Sequence, residues 1–136
     1  MPYDNPRQVP YDDIGILTAA RARIADRDHW GQRRFRDGAR CCLLEALAGA
    51  IKSANPDNTD ETERRLQEIL VANLPRSTGL RARMKFLSSR YRLIVFNDLF
   101  GTYHDDAVEL FDHAIKNLLN NKQKSVAEQS NLEKVA

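Results

Sequence analysis

Apolar positions recur at three- or four-residue intervals in successive segments of the chain, the period of a helix with one buried face. Ile14, Leu17, Ala20 or Arg21, and Ile24 form the first stripe, and Asp12 or Asp13 is placed to cap a helix running to about Arg27. Leu44, Leu47, Ala48 and Ile51 form the second, within Cys41 to Ser53. Small Ala and Gly residues there permit close approach, so this segment reads as a central buried helix. Asn55-Pro56 ends it. The acidic stretch from Asp57 to Glu63 opens a third helix, with Asn58-x-x-Glu61 or Asp60-x-x-Glu63 as a capping box. Its inward positions are Leu66, Ile69, Leu70 and Leu74, and Pro75 stops it. The order Leu80, Met84, Leu87, Tyr91 predicts a fourth helix from Ser77 or Thr78 through Ser89. Leu93-Ile94-Val95-Phe96 fits its last turn, a short strand, or the entry to a loop. Thr102 with Asp105 resembles a capping box for a fifth helix, whose inner side carries Val108, Phe111, Ala114 or Ile115, Leu118 and Leu119.

The segments between these stripes set the boundaries. Pro2, Pro6 and Pro10 punctuate a polar leader, residues 1–11, expected to be flexible. Residues 28–40 break the helical period and contain Asp37-Gly38, a favoured tight-turn pair, so an ordered loop or a minor β-hairpin at 33–42 is expected, anchored by Trp30 and Phe35. After Asn120-Asn121 the tail, 121–136, is polar and sparsely apolar, which suits disorder or a helix formed against a partner. The expected architecture is an all-α, compact bundle of about five helices in a single domain, 12–120.

A length of 136 residues suits one domain, and 42% hydrophobic with 29% charged residues is globular composition. No run approaches the length of a membrane span and the N-terminal residues lack the basic and apolar regions of a signal peptide, so a soluble cytoplasmic protein without membrane contact is expected. Cys41 and Cys42 are the only cysteines; adjacent side chains diverge on a helix or a strand, which disfavours a disulfide between them, and two thiols fall short of a zinc-finger pattern.

Charge changes the picture more than composition does. The net formal charge is only +2, yet residues 76–92 carry Arg76, Arg81, Arg83, Lys85, Arg90 and Arg92 without one acidic residue. Arg33, Arg34, Arg36 and Arg40 gather around Asp37-Gly38, and 15 of the 21 cationic residues are Arg. The planar guanidinium suits phosphate or carboxylate, so these positions are the candidate contact surface for nucleic acid or an acidic protein; a merely solvated helix face is the plainer account. Phe35, Phe86 and Tyr91 are interleaved with the positive charges, although Tyr91 falls on the expected core stripe.

Several residues also fall in an ordered pattern: Trp30-x-Gln32, Phe35-x-Asp37-Gly38, Cys42-x-x-x-Ala46-Leu47, Phe96-Asn97-Asp98, and Val108-x-Leu110-Phe111-Asp112-x-Ala114-Ile115. Over about residues 14–119 this resembles a family of small bacterial and phage proteins, a domain of unknown function marked by W-x-Q, C-x-x-G-A-L and W-N-D. Glu45 stands here in place of the Gly and Phe96 in place of the Trp. The resemblance implies a fold boundary; it brings no activity.

Two enzymatic arrangements are conceivable. Cys41 or Cys42 lies at an expected helix N-terminus, which favours a thiolate, and His104 with Asn97 or Asp98 could supply base and orienter. Against this, Cys is among the most buried residue types and packs as a small hydrophobe. Asp105, Glu109, Asp112 and His113 lie within two helical turns and could hold a metal ion, but acidic residues near a helix start already complement its dipole, and no metal or cofactor is expected. Trp30 is expected to anchor its loop, with a binding groove as the other use. Leu99, Phe100, Val126 and Leu132 could mediate weak homodimerisation in place of a monomer. The function expected is therefore a non-enzymatic binding or regulatory module.

Overall fold

The computed structural model describes residues 8–32, 41–75, 84–99 and 102–135. Among them run five α-helices and one 3-10 turn: α1 Gln8–Ile24, the turn Arg27–His29, α2 Leu43–Ala54, α3 Thr59–Ala72, α4 Ser89–Asp98 and α5 His104–Val135. No strand occurs among the described residues, and a single parallel bridge joins Trp30 to Cys41. The all-α bundle expected from the periodicity is the fold. The hairpin expected at 33–42 falls mostly on residues 33–40, outside the described residues.

Four of the five expected stripes turn inward, although Ala48 of the second and Leu119 of the fifth, both expected inside, are exposed because they sit at the margins of their helices' buried faces. Leu17, Ala20 and Ile24 of α1 meet Leu43, Leu47 and Ile51 of α2; Leu66 and Leu70 of α3, Leu93 and Phe96 of α4, and Leu110, Phe111 and Ala114 of α5 close the same core. α1 packs mainly on α2 and α5, and α3 on α4. At Gly49 of α2 the movable end of the Arg23 side chain of α1 lies close against the backbone. A Cβ there would stand 2.6 Å from a guanidinium nitrogen of Arg23, whose Nη2 donates to the Gly49 carbonyl at 3.2 Å and to Ser53 Oγ at 3.2 Å.

Local chemistry sets the helix ends. Asn55 closes α2 in the left-handed conformation at φ 51°, which Asn tolerates better than most residues, and its N–H donates to Ile51 O at 2.9 Å before Pro56 prevents continuation. Asn58 Oδ1 accepts the N–H of Glu61 at 3.0 Å, so the first of the two expected caps is the one used. At α5 the cap shifts by one residue: Asp106 Oδ2 accepts the N–H of Tyr103 at 2.8 Å, in place of the Thr102–Asp105 pair.

Three boundaries differ from the sequence reading. α1 begins at Gln8, because Pro10 falls in its first turn, where the missing N–H costs nothing. Asp13 is thus no cap. It is buried inside the helix and accepts a forked pair of bonds from Arg65 of α3, at 3.0 and 2.7 Å. The helix expected to run through Ser89 is interrupted before it: residues 84–88 hold a turn in which Leu87 N–H donates to Met84 O at 3.1 Å, and α4 begins at Ser89, while residues 77–83 of that expectation lie outside the described residues. Ser88 Oγ accepts the N–H of Tyr91 at 3.2 Å and starts a new helix, so Leu93 and Phe96 point inward while Tyr91 is 40% exposed. Residues 93–96 are helix. Finally, α5 continues as helix to Val135, with residues 119–129 all exposed.

Candidate functional site

Trp30, Gln32 and Asn97 of the family-like pattern converge at the junction of the 30–32 segment, the start of α2 and the end of α4, while Phe35, Asp37 and Gly38 lie outside the described residues. Trp30 Nε1 donates to Asn97 Oδ1 at 2.9 Å, and the N–H of Leu43, at the first turn of α2, donates to the same oxygen at 3.2 Å. The Asn97 amide nitrogen donates in turn to Gly31 O and to Asp98 Oδ1, both at 3.1 Å. Two lone pairs and two hydrogens are all that a carboxamide has, so Asn97, 2% exposed, is fully satisfied. Gln32 completes the arrangement. Its Nε2 lies 2.7 Å from Asn97 O, 2.9 Å from Leu99 O and 3.1 Å from Thr102 O, so two hydrogens are shared among three carbonyls of the α4–α5 connection. Gly31 N–H to Cys41 O at 3.1 Å and Cys41 N–H to His29 O at 2.8 Å fasten the entry to α2 against the same segment.

This geometry builds a clasp. Its polar groups point at one another and leave none of the Asn97 amide for a ligand, and the arrangement orients no nucleophile. Asn97 cannot serve a cysteine–histidine pair as orienter without giving up a bond that holds the fold. The thiols fit that pattern poorly as well. Burial pushes both Cys41 and Cys42 up, with the Glu45 carboxylate adding to the effect at Cys41, so both stay protonated at neutral pH. Cys42 is the N-cap residue of α2, and its own N–H is capped by Glu45 Oε1 at 3.2 Å, which gives the Glu at that pattern position a local purpose. Neither thiol is hydrogen-bonded to His104. The His104 ring lies 6.2 Å from the Trp30 ring, and its Nε2 is bonded to Ile24 O.

The chain matches the model of a family of unknown function, DUF6197, over residues 9–117. It belongs to this family. Neither a curated protein nor a solved structure matches it. The span matched to DUF6197 contains the whole clasp and ends beside Leu118, the last α5 residue packed against the core. The sequence pattern picked out Trp30, Gln32 and Asn97 but not their bonding to one another. A lone Trp and two carboxamides in apolar surroundings were the available signal, since such groups need partners once buried.

The other candidate residues are dispersed. Among the acidic positions weighed for a metal, Asp112 holds Arg21 of α1 at 2.5 Å, while Glu109 and His113 are exposed on α5. No group of three or more His, Cys, Asp or Glu among the described residues is placed to hold a metal ion. Among the same residues no helix is long and apolar enough to cross a membrane. Of the basic surface, Arg33, Arg34, Arg36, Arg76, Arg81 and Arg83 lie outside the described residues. Lys85 and Arg90 are exposed around the start of α4, and Arg92 is half-buried. Arg90, Tyr91 and Ile94 are exposed on α4, whereas Leu93, Phe96 and Asn97 are buried, and Phe86, one residue after Lys85, is 79% exposed.

Proposed function

We propose that the protein is a non-enzymatic binding module that contacts single-stranded nucleic acid through the Arg-rich segment leading into α4. The observation that carries this reading is the exposure of Phe86 and Tyr91, at 79% and 40%, next to the exposed cations Lys85 and Arg90. Large rings left in water beside positive charge are what a sequence-tolerant single-strand surface uses: the cations track phosphates and the rings stack on bases. An acidic protein would use the cations but has no comparable use for two open rings. The protonated thiols and the spent Asn97 amide favour binding over cysteine chemistry.

Fluorescence anisotropy of a labelled oligothymidine against the full chain tests this. Binding should weaken steeply as salt rises, and Phe86→Ala and Tyr91→Ala should each weaken it about tenfold at fixed salt, the scale of one lost base stack. Arg90→Glu should flatten the salt slope as well as weaken binding. Absence of binding at low salt, or binding undiminished in Phe86→Ala, would overturn the proposal.

A further inference from the structure

No further inference is drawn: the strongest candidate, the cleft of about 670 Å³ between the 27–32 segment and the start of α5 that Asp28, Asp105 and Asp106 line, is an acidic cluster in which nothing in the structure points to a ligand.

Discussion

At the scale of single residues, no substitute for Asn97 keeps both its shape and its two donated hydrogens. Aspartate keeps its shape but replaces the donating nitrogen with an oxygen, which would face Gly31 O and Asp98 Oδ1 and bring a charge into a site that water does not reach. Gln32 has the same asymmetry, since glutamate would aim a carboxylate at carbonyls that now receive hydrogens. Asn97→Asp and Gln32→Glu should each lower stability by about 3 kcal/mol in urea denaturation, and Gln32→Ala by less, about 2 kcal/mol, because a small side chain removes the donor without adding repulsion. Equal losses for Gln32→Ala and Gln32→Glu would show that water enters and solvates those carbonyls. In that event the clasp is less dry than its geometry implies.

At the scale of helices, periodicity located α2, α3 and most of the inward faces of α3 and α5, where a single apolar stripe lies between clear end signals such as Asn55-Pro56 and Asn58, but it also counted Ala48 and Leu119 inside, and both are exposed. It failed at α4. Leu80, Met84, Leu87 and Tyr91 keep helical spacing across Ser88, and spacing carries no sign of the turn that Ser88 ends. The inward face of α4 is instead Leu93, Phe96 and Asn97, and the displaced Tyr91 became surface. The clasp was legible as a set of residue types but not as a set of bonds, because partners 65 to 70 residues apart leave no local trace. The same holds for Asp13 and Arg65, 52 residues apart. Their side chains are 6% and 32% exposed, so the two ends of the pair are unequal. Arg65→Ala leaves a buried carboxylate with neither partner nor water and should cost about 3 kcal/mol. Asp13→Ala leaves a guanidinium that can still reach water and should cost about half as much. Thermal melts of the two variants check the order, and a reversed order would mean that α1 yields to let Asp13 into solvent.

At the scale of the whole molecule, a formal charge of +2 conceals an uneven distribution of charge. Cations and open rings lead into α4, while carboxylates gather at the cleft beside the start of α5. α5 adds a further division: its 32 residues span about 48 Å, and it leaves the core after Leu118, near the end of the family match.

The clasp also bears on the order of events in folding. Asn97 bonds to the 30–31 segment and to the first turn of α2, and these bonds can form only after segments more than 50 residues apart have been brought together. Closing loops of that length costs entropy before any of those bonds repays it, whereas the turn between α1 and α2 and the local helix caps need no such closure. The clasp should therefore be absent from the folding transition state and act as a brake on unfolding. In stopped-flow experiments Asn97→Asp should accelerate unfolding by roughly a hundredfold and leave the folding limb almost unmoved. A slowed folding limb would instead make the clasp part of the nucleus. On the first outcome, what Trp30, Gln32 and Asn97 give the protein is lifetime: a native state that opens rarely, whatever its margin of stability at equilibrium.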